Sequence, residues 1–122
     1  MVTGSTAILA SADIEQSIRF YREVLGFDNS WTYGDPPTFG NASWGSASVM
    51  FCLQTDLAAQ VAGHQHWFNV DDVDELYALH LERGARIASE IEDKPWGMRE
   101  YTVIDPSGYN LRFAGPSVPR VA

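Results

Sequence analysis

Apolar and polar positions change period several times along the chain, and each change marks an element. Thr6 to Ala10 is short and apolar and predicts a strand. From Asp13 the period becomes helical: Ile14, Ile18, Tyr21 and Leu25 share a face, Asp13 and Gln16 form a capping pattern, and Gly26 closes the segment. Phe27 to Tyr33 predicts a strand, and Gly34-Asp35-Pro36-Pro37 a loop that regular structure cannot include. Phe39 to Trp44 and Ser46 to Gln54 predict two extended segments around a turn at Gly45.

The same grammar then recurs. His66 to Val70 predicts a strand, Asp72 with Glu75 opens a helix whose stripe is Val73, Leu76, Tyr77 and Leu79, and Gly84 ends it. Ala85 to Glu92 predicts a strand, and Met98 to Ile104 with Tyr109 to Phe113 a hairpin around Asp105-Pro106-Ser107-Gly108. For the hairpin turn alone, an ordinary loop without function suffices. Aligning Asp13 with Asp72 and Gly26 with Gly84 gives offsets of 59 and 58 residues, so the chain reads as two copies of a βαβββ unit. Module one covers about residues 1–60, module two about 61–115, and 116–122 reads as a loose tail. Neither half can bury much core alone, so the copies pack on each other or on those of a second chain.

Composition narrows the function. The 122 residues suit one domain, and an apolar share of 45% is that of a folded globular chain. No apolar run reaches the roughly 18 residues of a membrane span, and the N-terminus lacks the basic flank of a signal peptide, so the expected compartment is the cytoplasm. A net charge of −8 argues against nucleic acid and anionic membranes as partners and permits a cationic ligand. Cys52, the single cysteine, lies between Phe51 and Leu53 and reads as a buried, inert thiol. No Ser/His/Asp set, phosphate-binding glycine loop or cysteine cluster occurs.

The segment Ser17-Ile18-Arg19-Phe20-Tyr21-Arg22-Glu23-Val24-Leu25-Gly26-Phe27, the Val70-Asp71-Asp72-Val73-Asp74 helix start and the Asp105-Pro106-Ser107-Gly108-Tyr109 turn resemble the vicinal-oxygen-chelate superfamily of glyoxalases, extradiol dioxygenases and bleomycin resistance proteins. Asp74-Glu75-Leu76-Tyr77-Ala78, Pro95-Trp96-Gly97 and Arg99-Glu100-Tyr101 resemble bleomycin resistance proteins most. The resemblance implies an α+β fold of paired βαβββ modules forming a half-open β-barrel or cup, in a homodimer with the cups at or near the subunit interface.

Metal-dependent members of that superfamily hold a divalent ion with His and Glu on inner strands. By register, the resemblance places those positions at Thr6, Phe51, Gln65 and Arg112. None is a good ligand, and Arg112 adds a repelling charge, so neither metal nor cofactor is expected. A one-residue slip on the fifth strand would bring in His64 or His66, which alternate and can share one side of the strand; one imidazole still lacks partners. His80 reads as a partly exposed helical residue.

The aromatic supply suits a pocket instead. Trp31, Phe39, Phe51, Trp67, Trp96, Met98, Tyr101 and Arg112 are the candidate ligand-binding residues, with Phe51 and Trp67 equally open to a packing role. By resemblance, Phe39 and Trp96 sandwich the flat heteroaromatic tail of a bleomycin-type glycopeptide. Asp35, Glu90, Glu92 and Asp93 can attract its cationic end. Arg99 and Glu100 are adjacent on a strand and face opposite ways, while Arg112 either neutralises a buried acid such as Glu100 or binds an anionic ligand group. The expectation is metal-independent binding of a small planar or cationic ligand. The alternatives are a metal-dependent glyoxalase-like lyase, isomerase or dioxygenase, and an interaction protein without a ligand.

Overall fold

The structure is a computed structural model, and it describes residues 1–117. The elements follow in the order β1 (Ala7–Ser11), α1 (Ile14–Arg19), a π-helical continuation (Phe20–Leu25), β2 (Asn29–Tyr33), β3 (Phe39–Trp44), β4 (Ala47–Leu53), α2 (Thr55–Ala58), β5 (Gln65–Asn69), α3 (Val73–Glu82), β6 (Ile87–Asp93), β7 (Met98–Ile104) and β8 (Asn110–Pro116). The caps are those that the sequence predicts. Asp13 accepts from the Gln16 amide and Asp72 from the Glu75 amide, while Gly26 leaves the first helical segment at φ 95°. The short α2, in the connection between the modules, has no counterpart among the predicted elements.

Two four-stranded sheets result, with orders β1-β4-β3-β2 and β5-β8-β7-β6. In each, the first strand lies parallel to the last and the other pairs are antiparallel, so the topology of one sheet repeats that of the other. The sheets are not closed into a barrel, and the arrangement is cup-like. This is the paired βαβββ fold that the repeat implied.

One core serves both modules. Leu9, Val49 and Phe51 of sheet one, Tyr21 and Leu25 of the first helical segment, and Leu111 and Phe113 of sheet two belong to a single buried cluster. Phe27 meets Phe68 edge to face at 5.6 Å across the module boundary. Polar latches reinforce this contact. The Tyr21 hydroxyl donates to Asp105 Oδ2 at 3.1 Å, and the Ala10 amide donates to the Tyr109 hydroxyl at 2.9 Å. Asp105 Oδ1 also accepts from the Ser107 and Tyr109 amides, which makes the β7–β8 turn rigid. The turn is therefore a docking device rather than an ordinary loop.

His80 makes the third latch, and the expectation of partial exposure is corrected: it is fully buried. Its Nε2–H donates to the Leu25 carbonyl at 2.9 Å, because a carbonyl can only accept, which leaves Nδ1 to accept from the Tyr101 hydroxyl at 2.7 Å. One imidazole thus satisfies a helix-terminal carbonyl of module one and a strand residue of module two. Close backbone approach sets a further constraint at Gly115, where a Cβ would lie 2.7 Å from the Val70 carbonyl oxygen.

The chain end differs from the loose tail expected from residue 116. Pro116 closes β8, and the Ser117 amide donates to the Gly97 carbonyl at 3.0 Å. The remainder of that expected tail lies outside the described residues. Among the described residues, no helix is long and apolar enough to cross a membrane.

Candidate functional site

Strand pairing decides which side chains share the faces turned away from the core. On sheet two, Gln65, Trp67 and Asn69 of β5 align with Asn110, Arg112 and Ala114 of β8, and these with Ile104, Thr102 and Glu100 of β7. The intervening residues Phe68, Tyr101, Val103, Leu111 and Phe113 are buried on the helix side. On sheet one, Trp31, Tyr33, Phe39, Asn41, Met50 and Cys52 share the open face by the same alternation. Trp31 and Phe39 stack there, with ring centroids 6.0 Å apart and planes inclined by 24°.

A charged pair lies at the centre of the sheet-two face. The Arg112 guanidinium pairs through Nη2 with Glu100 Oε1, donates through Nη1 to Gln65 Oε1 at 3.1 Å, and lies 5.3 Å from the centroid of the Trp67 ring. Glu100 is only 4% exposed, so it depends on that guanidinium; removing one partner of such a pair costs about 3–5 kcal/mol. Of the two roles open to Arg112, it takes that of neutralising Glu100.

Trp96 overhangs this pair. Lys94 to Gly97 make the β6–β7 turn, with the Gly97 amide donating to the Lys94 carbonyl at 3.1 Å and Gly97 at φ 84°. The turn leaves Trp96 59% exposed, and its indole N–H donates to Glu100 Oε2 at 3.2 Å. The Trp67 indole N–H is held by Asn69 Oδ1 at 2.8 Å. A cavity of about 210 Å³ opens beside Glu100 and Arg112, lined also by Gln65, Ser89, Thr102 and Asn110.

The predicted site residues separate into three groups. Trp67, Trp96, Met98 and Arg112 belong to the sheet-two open face or its rim, and Trp31 and Phe39 to that of sheet one. Phe51 and Tyr101 are corrections: each is 1% exposed and packs on the helix side, Phe51 against Tyr21 and Tyr101 against His80 and Tyr77. Strand parity is the physical reason. Met98 and Tyr101 are three residues apart on one strand and so point to opposite faces. Cys52 is also corrected, because it is half-buried on the open face, opposite Phe39, rather than in the core. Gln65, Asn69 and Glu100 complete the sheet-two network and are absent from the predicted ligand set; the parity of Arg112 and the adjacency of Arg99 and Glu100 are the signals that find them.

Arg99 turns to the other side, as its adjacency to Glu100 requires, and pairs with Asp74 at 3.1 Å and Asp93 at 3.4 Å. Glu92 pairs with Lys94. These two partners of the acidic set are therefore engaged within the fold, whereas Asp35 and Glu90 are exposed.

The four positions implied for a metal do not fit one. Phe51 points into the core, Gln65 and Arg112 bond each other, and Thr6 is exposed ahead of β1. The open face of β4 carries Met50 and Cys52 instead, so the register on that strand is off by one; neither is a hard-cation ligand. His66 is half-buried with its ring 4.7 Å from that of Phe68, and burial lowers its basicity, while His64 is exposed in the turn before β5. Among the described residues, no group of three or more His, Cys, Asp or Glu is placed to hold a metal ion.

Repeated sheet-and-helix modules with open faces bearing aromatic residues define a cup-forming, paired-module domain. The sequence profile of the Glyoxalase/Bleomycin resistance protein/Dioxygenase superfamily matches residues 4–113, and the chain belongs to that superfamily. No curated protein sequence matches it. The fold is similar to that of the bleomycin-binding protein of bleomycin-producing Streptomyces verticillus, solved with copper(II)-bleomycin, at 19% identity and TM-score 0.78 over 96% of this chain and 98% of that one. It is similar to a glyoxalase-related enzyme of Clostridium phytofermentans, at 19% identity and TM-score 0.81 over 96% and 97%. A bleomycin resistance determinant encoded on the transposon Tn5 matches at 18% identity and TM-score 0.76, over 96% of this chain and all 100% of that one.

Proposed function

We propose that the protein is a cytoplasmic, homodimeric small-molecule binder that sequesters a planar, cationic antibiotic of the bleomycin type without metal chemistry. The observation that carries this reading is the pair of open faces, each with partly or largely exposed aromatic side chains: Trp31, Tyr33 and Phe39 on one, Trp67 and Trp96 beside the Glu100–Arg112 pair on the other. Such rings offer flat apolar area with a polar handle, the surface that a heteroaromatic ligand needs. The two faces lie on different sheets of one chain, so a second subunit supplies the opposing wall: Phe39 of one subunit and Trp96 of the other enclose the ligand. A net charge of −8 draws a cationic ligand toward the protein. Bleomycin binding to the Streptomyces relative of the same fold supports the ligand class.

Isothermal titration with bleomycin tests the reading. Trp96→Ala weakens binding about tenfold, which is roughly 1.4 kcal/mol and within reach of one lost stack. The domain stays folded, because the ring is outside the core, and its melting temperature falls only modestly as Glu100 Oε2 loses the indole N–H. An unaltered affinity removes the stacking arrangement.

A further inference from the structure

Glu100 is a carboxylate that the fold has buried on an otherwise accessible face, while its cross-strand neighbour Glu92 stays exposed and pairs with Lys94. Both oxygens of a buried carboxylate have to be answered. They are answered from different elements, one oxygen from β8 and the other from the β6–β7 turn. Oε1 takes Nη2 of Arg112, whose guanidinium lies 5.3 Å from the Trp67 ring centroid, and Oε2 takes the indole N–H of Trp96 at 3.2 Å. Trp96, 59% exposed on a turn, has little packing to hold it, and a hydrogen bond to an ionised acceptor is about twice as strong as a neutral one.

The second oxygen is answered not by another nitrogen of Arg112 but by the indole of an exposed ring, which ties that ring to the sheet. We propose that Glu100 is the positioning residue of this site: it holds the Trp96 indole, as Asn69 holds that of Trp67, so that the Trp96 ring stands at a fixed place before a planar ligand arrives. Pre-setting the rings removes part of the ordering cost of binding. The inference rests on the reading of this face as a planar-ligand site.

A double-mutant cycle with Glu100→Gln and Trp96→Phe tests it, since Phe keeps a ring but lacks the N–H. Each single change weakens bleomycin binding about five- to tenfold, and the double variant binds no worse than Trp96→Phe alone. Multiplicative losses overturn the proposal. A second readout needs no ligand: with Trp31, Trp44 and Trp67 replaced by Phe, Glu100→Gln lowers the fluorescence anisotropy of Trp96 and raises its quenching by acrylamide about twofold. An unchanged Trp96 signal overturns the proposal. Where Glu100→Gln fails to fold with Arg112 unpaired, Glu100→Gln combined with Arg112→Gln removes both charges and is read by the same signal. If bleomycin does not bind the wild-type protein, the ligand reading fails, and the anisotropy still decides the role of Glu100.

Discussion

Protonating His80 would turn Nδ1 from an acceptor into a donor facing the Tyr101 hydroxyl, at a ring fully buried from solvent. Burial, with a smaller contribution from the charge of Arg83, holds its pKa below the ordinary value, while the Leu25 hydrogen bond acts in the opposite sense. The unfolded chain therefore binds a proton that the folded chain refuses. Stability from neutral His80 is complete above the unfolded value of about 6.5 and is lost as the pH falls below it. His66 is shifted in the same direction by burial. Asp105 acts oppositely, because burial raises its carboxyl pKa and so favours the folded state as the pH falls through that raised value. Urea unfolding at pH 7.5 and 5.5 checks the account. His80→Gln, which keeps a donor and an acceptor but cannot titrate, loses about 1–3 kcal/mol at pH 7.5 and shows a shallower loss on acidification than wild type. An identical pH slope in the two proteins would place the effect elsewhere.

Between elements, the β7–β8 turn joins the modules through two buried hydrogen bonds. Tyr109→Phe removes the hydroxyl that answers the buried Ala10 amide of β1 and destabilises the domain by about 1–3 kcal/mol in chemical denaturation. A change within error would mean that another group reaches that amide. The turn was legible in Asp105-Pro106-Ser107-Gly108, but its role was not, because its partners Tyr21 and Ala10 lie 84 and 99 positions away. Nothing local announces a contact at that separation. Caps, closing glycines and the repeat were legible for the contrary reason, since each is fixed by residues within one turn of its element. The π-helical turns at Phe20–Leu25 carry an apolar spacing that an α-helix would satisfy equally well. Of the residues that the sequence offered for a ligand, Trp31, Phe39, Trp67, Trp96, Met98 and Arg112 lie on the open faces or their rim, whereas Phe51 and Tyr101 lie in the core because strand parity overrides aromatic character.

At the scale of the whole molecule, the helix-bearing sides of both sheets share one core, and among the described residues the opposite faces keep several aromatic side chains exposed. Trp31, Tyr33, Trp67 and Trp96 are each more than a third exposed there, a large aromatic area for a chain of 122 residues. A second copy and a bound ligand would together cover that area, and the acidic surface would favour a cationic ligand. Titrating the metal-stripped protein with bleomycin, with tryptophan fluorescence as the signal and with or without added divalent ion, tests this most directly. The account predicts a fluorescence change that saturates at one drug per subunit and does not depend on the ion. Silence in the metal-stripped protein, joined to turnover of small oxygenated substrates once a divalent ion is added, would contradict it.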